Sequence, residues 1–200
     1  MATDTRNKIV NAAFEALRTR GFAGASARNI AALAGVNPGL IFYYFGSVDE
    51  LLLAALRETS EARLERHRAA AAAVGTAGEL VTLLRRIYRE DAESGQVRVV
   101  CEMVAGSVAR PELGREVMAL MEPWVALAEL AVERVLGDSP VAAIASPHEL
   151  ALAAVTFYLG ANLLAHLQGE SEAIDGLLAA GERAAGLLDL LNPGGAAPES

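Results

Sequence analysis

Apolar residues recur at helical spacing along almost the whole chain. Near the amino terminus, one face of a predicted helix contains Ile9, Val10, Ala13, Phe14 and Leu17. The composition agrees, because the chain is rich in Ala and Leu and only 5% of its residues are aromatic. We therefore predict an all-α protein of about nine helices, near residues 5–21, 26–34, 38–45, 47–73, 76–94, 97–109, 112–136, 146–168 and 171–191.

Local signals place the ends of several of these helices. A Ser or Thr three residues before a Glu, the spacing of a capping box, occurs in the pairs Ser47 with Glu50, Thr76 with Glu79, and Ser146 with Glu149. Pro123 lies inside the predicted helix 112–136 and is expected to kink or split it. Residues 1–4 are expected to form a loose arm, and residues 193–200 a disordered tail.

The segment 26–45 is predicted to form two short helices joined by a tight turn. Ser26 is placed to cap the first helix. Gly35 suits a left-handed residue at the end of that helix, and Asn37 followed by Pro38 suits the start of the next. The buried side of the first helix is expected to contain Ile30, Ala31, Leu33 and Ala34.

The second helix of this pair has two unlike faces. Ile41 and Phe45 share one side, whereas Gly39, Leu40 and Tyr43 are expected on an exposed side. A helix that begins with Gly lets the backbone approach a surface closely, and Tyr offers both a hydroxyl and a ring. Such a face suits a recognition helix in the major groove of DNA. A helical hairpin inside a core is the alternative for the same pattern.

The charge of the chain is unevenly distributed. The formal net charge is -8, but residues 1–47 hold five basic and two acidic residues, which gives +3 and leaves -11 for the remainder. This division fits a small basic DNA reader attached to an acidic body, although a charge of +3 alone is ordinary surface variation.

Cysteine usage and hydropathy indicate a cytoplasmic protein. Cys101 is the single cysteine, which excludes an internal disulfide framework. We see no amino-terminal signal sequence and no apolar run long enough to span a bilayer. The expected protein therefore has no membrane partner.

Several motifs follow one another in order: Arg20-Gly21-Phe22 after the first helix, the turn Ala34-Gly35-Val36, and the run 39–45 followed by Asp49-Glu50. With these motifs, residues 8–56 resemble the amino-terminal DNA-binding domain of the TetR family of transcriptional regulators over their whole length. The resemblance implies a three-helix helix-turn-helix domain that binds a double-stranded DNA operator. The residues that it places on DNA are Ala27, Arg28, Asn37, Pro38, Gly39, Leu40, Phe42, Tyr43 and Tyr44.

The resemblance also implies how the rest of the chain is organised. It predicts a DNA-binding domain at 1–47, a connecting helix at 48–74, and a ligand-binding and dimerisation domain at 75–192. The dimer is expected to bind a palindromic operator, most often as a repressor. A small apolar effector is expected to release it from that operator. Ligand release of this kind requires different affinities for two conformations.

Three positions depart from the usual family pattern. Ala25 stands where Thr is common, Asn37-Pro38 where Ser-Lys is common, and Val48 near a usual Lys. Two phosphate-binding lysines are therefore missing. We expect a shallower salt dependence of DNA binding, because each lost phosphate contact removes about 0.9 from the slope of log K against log salt.

The last two predicted helices are rich in small residues. They include Gly160, Ala161, Ala165, Gly176, Ala180, Gly181, Ala184 and Ala185. Small residues allow helices to approach closely, so two such pairs are able to form a four-helix bundle between two copies. Closure of the monomer's own core is the alternative.

The resemblance further implies an effector pocket in the body of the protein. The candidate lining residues are Tyr88, Cys101, Met103, Met121, Trp124, Phe157, Tyr158, Asn162 and His166. Met and aromatic side chains suit an adaptable apolar cavity, and Asn162 or His166 would orient a polar group. For each of them, packing in the core is the alternative role.

No enzyme signature is present. His67, His148 and His166 lack metal-ligand spacing, and no phosphate loop or nucleophile motif occurs, so we predict no catalytic residues, metal or cofactor. The other rival is a helical interaction protein whose reader no longer binds DNA, which the missing lysines favour.

Overall fold

The computed structural model describes residues 2–137, 139–168 and 172–191. Within these ranges the chain forms nine α-helices and one short 3-10 helix, Pro140–Ala143. The α-helices are α1 (Ala2–Gly24), α2 (Ala27–Ala34), α3 (Gly39–Phe45), α4 (Val48–Ala73), α5 (Ala77–Ser94), α6 (Gln96–Ser107), α7 (Pro111–Leu136), α8 (Pro147–Gln168) and α9 (Glu172–Leu191). The all-α prediction is confirmed.

The chain packs as two compact units. The first unit comprises residues 1–63 with 94–121, and the second unit comprises residues 64–93 with 122–200. Packing therefore groups α6 with the amino-terminal helices. The boundaries predicted after residues 47 and 74 separate proposed functional regions, and they stay predictions. The predicted tail at 193–200 lies outside the described residues.

In the first unit, α1 packs against α2 and α6. Its predicted apolar face is confirmed, since Ile9, Ala13 and Leu17 are completely buried. Other fully buried side chains in this unit come from each neighbouring helix: Ile30, Ile41, Leu51, Leu56, Val99 and Met103. The burial of these apolar side chains stabilises the short helices α2 and α3, because isolated helices of this length are only marginally stable in water.

The first helix departs from its predicted ends. It begins at Ala2 and not near Thr5, and so residues 2–4 are helical where a loose arm was expected. An acid in the first turn is favourable at a helix amino terminus, and Asp4 also pairs with Lys8 at 2.8 Å. At the other end the helical geometry breaks at Gly21 (φ 70°, ψ 179°), the predicted end, and a second short helical segment extends α1 to Gly24.

Among its described residues, the second unit has two apolar clusters. One joins Ala71 of α4 and Val74, which follows α4, to Leu83 of α5, Val135 of α7 and Ala185 of α9. A smaller cluster comprises Tyr88, Ala161, Ile174 and Leu178, with Tyr158 packed against it. These clusters bring α5, α8 and α9 together.

The predicted capping signals act as expected. The amide of Glu50 donates to Ser47 Oγ (3.1 Å) and the amide of Glu79 donates to Thr76 Oγ1 (3.1 Å). Around Ser146 both bonds of the box form, because Glu149 Oε2 accepts from the Ser146 amide at 2.8 Å. Side chains and backbone that lie within one turn therefore fix the starts of α4, α5 and α8.

Of the kink or split expected at Pro123, the split is wrong, because within the described range 111–136 a single helix runs through it. Proline removes one helical hydrogen bond, to the carbonyl of Ala119, and Ala119 is an exposed residue, where solvent is able to satisfy a free carbonyl oxygen.

Among the described residues, no single helix has both the length and the apolar character needed to cross a membrane. The pair Gly39–Phe45 and Val48–Ala73 meets these two criteria only when both helices are counted together across a bend of 64°.

Candidate nucleic-acid interface

The turn between α2 and α3 is built by local hydrogen bonds. Ser26 Oγ accepts from the Asn29 amide (3.3 Å) and caps α2. Gly35 is left-handed (φ 66°, ψ 36°), and the next amide, of Val36, donates back to the Ala31 carbonyl at 3.0 Å. The predicted helix-turn-helix is thus confirmed with the capping residue and the turn glycine that the sequence indicated.

Asn37 starts α3. Its Oδ1 accepts from the Gly39 amide at 2.8 Å, while Pro38 already has helical angles (φ -53°, ψ -30°). An Asn cap followed by Pro suits this geometry, because the missing proline N–H would have no helical partner.

The two faces of α3 differ as the periodicity predicts. Ile41 is completely buried, whereas Tyr43 is 79% exposed and Phe42 is 52% exposed. Leu40 was expected on the exposed face but is half-buried. On α2, Leu33 was expected in the core but is 43% exposed, because α2 buries Ile30 and Ala31 on its inner side.

The structure brings the predicted DNA-binding residues together on α2, the turn and α3. Arg28, Asn37, Pro38, Gly39, Phe42 and Tyr43 are exposed, and Ala27, Leu40 and Tyr44 are half-buried. The ring of Tyr44 meets that of Tyr43 edge-on, with centroids 5.1 Å apart and planes at 80°. An edge-on pair limits the orientations of the exposed Tyr43 ring.

Sequence reasoning missed the contact at the other end of α3. The guanidinium carbon of Arg6 lies 5.3 Å from the centre of the Phe45 ring, and Arg6 Nη1 lies 2.7 Å from Glu58 Oε1. Nothing in the local sequence pattern relates Arg6 to residues 45 and 58.

Of the predicted effector-binding residues, the second unit gathers Tyr88, Tyr158 and Asn162. The two tyrosine rings meet edge-on, with centroids 6.4 Å apart. Tyr158 donates its hydroxyl to the buried carboxylate of Asp91 (2.5 Å), and Asn162 donates to the Tyr158 carbonyl (2.6 Å). Burial, followed by the charge of Asp175, raises the pKa of Tyr88, so that its phenol stays neutral at physiological pH.

The other candidates are distributed over both units. Trp124 lies beside His67 in the second unit, with ring centroids 6.3 Å apart, and Phe157 is 36% exposed. Met103, Met121 and Cys101 belong to the first unit, where the two methionines are buried. The His166 side chain lies outside the described residues.

Cys101 is half-buried. Burial, with the neighbouring charge of Glu102, raises the pKa of its thiol. A raised pKa disfavours the thiolate, which is the reactive form.

A cavity that the sequence did not indicate lies in the second unit, between the end of α4 and the start of α5. Its volume is about 480 Å³, and its lining consists of Ala70, Ala73, Val74, Thr76, Gly78, Glu79, Thr82, Leu83 and Arg86. Its walls are mostly apolar, with Glu79 and Arg86 as the charged members.

In the part of the chain that the structure describes, no three His, Cys, Asp or Glu side chains are grouped so as to hold a metal ion.

Comparison with known proteins identifies the helix-turn-helix region. Residues 9–55 match the family model described as "Bacterial regulatory proteins, tetR family". The chain is 28% identical over 112 residues to the HTH-type transcriptional regulator UidR of Escherichia coli K12, which covers 56% of each protein. It is 34% identical over 119 residues to the HTH-type transcriptional regulator BetI of Stenotrophomonas maltophilia, covering 55% of this chain and 58% of that regulator.

The matched region thus spans a little over half the length of these two curated relatives. The fold extends further. The crystal structure of the Bacillus subtilis transcriptional regulator FadR in complex with stearoyl-CoA superposes with a TM-score of 0.75, covering 88% of this chain and 95% of FadR at 15% identity. The matched proteins are regulators, which agrees with the expectation that the chain is not an enzyme.

Proposed function

We propose that the chain is a DNA-binding transcriptional regulator, because residues 9–55 match the model of the tetR family of bacterial regulatory proteins. The observation that carries this proposal is the outer face of α3, where Tyr43 is 79% and Phe42 is 52% exposed next to a buried Ile41. Adjacent exposed aromatic side chains are typical of a binding surface. A helix that follows a helix-turn-helix turn is the element that enters the major groove.

Different residues of this surface have different tasks. Phe42 and Tyr43, the exposed aromatic residues of α3, read base edges through apolar contact with thymine methyl groups and through the Tyr hydroxyl. Arg28 at the start of α2, with Tyr44, contacts the phosphate backbone. Ala27, Asn37, Pro38, Gly39 and Leu40 complete the contact surface.

We propose the same functional regions that the sequence predicts. Residues 1–47 bind DNA, residues 48–74 connect, and residues 75–192 bind an effector and form a homodimer in the cytoplasm. The DNA-binding domains of the two copies then bind the two halves of a palindromic operator, about one turn of DNA apart.

An exposed apolar surface on α8 and α9 supports the homodimer. The large exposed residues there are Leu152, Phe157, Leu163, Leu164, Leu177, Leu187 and Leu190. Exposed small residues lie between them, including Gly160, Gly176 and Ala180. A second copy of the same surface covers these leucines, and the small residues allow the helices of the two copies to approach.

We infer that a small apolar effector releases the dimer from a repressed promoter. Tyr88, Tyr158 and Asn162 of the second unit are the best candidates for its contacts, because aromatic rings and a buried amide lie together there. The solved complex of FadR with stearoyl-CoA is a precedent for a ligand with a long apolar chain in this fold. Release requires that the effector bind the DNA-free conformation more tightly.

Titration of the purified protein against DNA from upstream of its own gene tests the proposal. We expect saturable binding that exceeds binding to scrambled DNA, and a loss of at least about fivefold in affinity for Tyr43→Ala, since one good base contact is worth about 1–3 kcal/mol. Ile144→Ala is the control, because Ile144 is 86% exposed in the second unit and its removal is expected to leave affinity unchanged.

The salt dependence adds a second readout. Without the two family lysines, we expect a shallower slope of log K against log salt than for a relative that retains them. Selection from random DNA follows if the upstream region shows no preference. If no sequence is enriched there either, the chain is a helical interaction protein with an inactive reader.

A further inference from the structure

α3 is too short to hold its position alone. It has seven residues, and isolated helices shorter than about 12 residues are marginal in water. Contacts with neighbouring helices must therefore fix it. Ile41 anchors its middle by complete burial, but Phe45 at its last position is only half-buried, and Gly46 then ends the helix with a φ of 77°.

Arg6 of α1 contacts this last residue. Its guanidinium carbon is 5.3 Å from the Phe45 ring centre, within the range of about 6 Å for a cation–π contact. The same guanidinium binds Glu58 of α4, with Nη1 and Oε1 2.7 Å apart. One side chain of α1 thereby joins the end of α3 to α4.

We propose that Arg6 is a positioning residue of the nucleic-acid interface. By holding Phe45 and Glu58 together, it fixes the angle at which Phe42 and Tyr43 meet DNA. The inference rests on the proposed function, because that function assigns the interface to α3. The competing role is a direct bond from Arg6 to a DNA phosphate, which would require Arg6 to leave Glu58.

The two roles give opposite results for Glu58→Gln. If Arg6 positions α3, the substitution loosens Arg6 and weakens DNA binding, while the slope of log K against log salt stays unchanged. If Arg6 binds phosphate, the substitution frees a cation for DNA. Binding then tightens, and the slope becomes steeper by about 0.9.

Arg6→Ala and Glu58→Gln are each expected to weaken operator binding about three- to tenfold, as exposed cation–π and ion-pair contacts are modest. Arg6→Lys keeps the charge but loses the flat guanidinium over the ring, so we expect an intermediate loss. Arg18→Ala is the matched control. Arg18 lies on the same helix and pairs with Glu15 at 2.8 Å, with a similar exposure of 42% against 40% for Arg6.

Hydrogen exchange of the DNA-free protein provides a readout that does not depend on an operator. Relative to the amides of α2, those of residues 39–45 are expected to exchange at least about threefold faster in Arg6→Ala and Glu58→Gln. Arg18→Ala is expected to exchange like the wild type.

Unchanged exchange of α3 in Arg6→Ala overturns the inference, and so does tighter DNA binding by Glu58→Gln. A wild-type protein that binds no DNA sequence refutes the proposed function instead. In that case the exchange measurement still decides whether Arg6 holds the end of α3.

Discussion

At Gly21 a single residue determines how α1 ends. Its backbone angles (φ 70°, ψ 179°) belong to a region that is essentially restricted to glycine. The bend turns the Phe22 amide toward α6, where Glu102 Oε2 accepts its hydrogen bond at 2.8 Å. An added Cβ on Gly21 would lie 2.7 Å from the same oxygen. The site therefore needs a residue without a side chain for two independent reasons.

Gly21→Ala is expected to lower the free energy of unfolding by about 2–4 kcal/mol, through backbone strain and the weakened Glu102 bond. Gly114→Ala is the control, because Gly114 is helical and an added Cβ there meets its nearest atom at 3.7 Å. That substitution is expected to raise stability by about 0.5–1 kcal/mol. Urea unfolding measures both, and equal stability of Gly21→Ala and the wild type would contradict the argument.

Among the helices, α5 depends on a residue far away in the sequence. Asp189 of α9 accepts hydrogen bonds from the Ala77 amide (2.7 Å) and the Gly78 amide (2.9 Å) at the start of α5. Glu79 adds a local bond from the Gly75 amide at 2.7 Å. A carboxylate at a helix amino terminus satisfies unpaired amides and interacts favourably with the helix dipole.

Asp189→Ala is expected to destabilise the protein by about 1–3 kcal/mol, because two first-turn amides lose their acceptor. Asp175→Ala is the matched control on the same helix. Asp175 makes longer ion pairs, 3.4 Å to Arg89 and 3.8 Å to Arg85, at 42% exposure, so its loss should cost less than about 1 kcal/mol. Thermal unfolding of the two variants compares them, and a smaller loss for Asp189→Ala than for Asp175→Ala would show that the cap contributes little.

The helices illustrate what the sequence was able to predict. The starts of α2, α4 and α8 depend on side chains within three residues, and α5 has one such local cap besides Asp189; these Ser and Thr caps were identified correctly. The exposed face of α3 followed from a period of 3.6 residues. In contrast, the Glu102 contact, the Asp189 cap and the Arg6 bridge join residues 80, 112 and 52 positions apart, respectively, which no local pattern encodes.

Three of the proposed effector-binding residues were named from the sequence, but for the same reason the sequence did not show that they lie together. Tyr88, Tyr158 and Asn162 come from α5 and α8 and meet only through packing. The residues that line the cavity of about 480 Å³ share neither a common polarity nor a regular spacing in the sequence, so no pattern indicates the cavity.

For the whole molecule, charge is divided according to the proposed roles. Residues 1–47 carry +3 and the remainder carries -11. The acidic part disfavours non-specific contact with DNA, which leaves the small basic region to make it. With so few cations in each reader, one copy is expected to bind weakly, and high affinity requires two linked readers.

A variant that separates the two copies tests this dependence. Leu187 of α9 is 64% exposed, and Leu187→Glu would bury a charge in the proposed dimer surface. We expect sedimentation velocity to show monomers at concentrations where the wild type is dimeric. We expect operator affinity to fall at least about tenfold, since the affinity of two linked sites exceeds that of one site by a factor of about 100 or more when geometry permits.

Leu130→Glu is the control, because Leu130 on α7 is also 64% exposed. Tyr43→Ala should give the reciprocal result, a dimer that does not bind the operator. If Leu187→Glu remains dimeric, α9 does not form the interface; if it is monomeric but binds the operator with wild-type affinity, one reader is sufficient and the two-site argument fails.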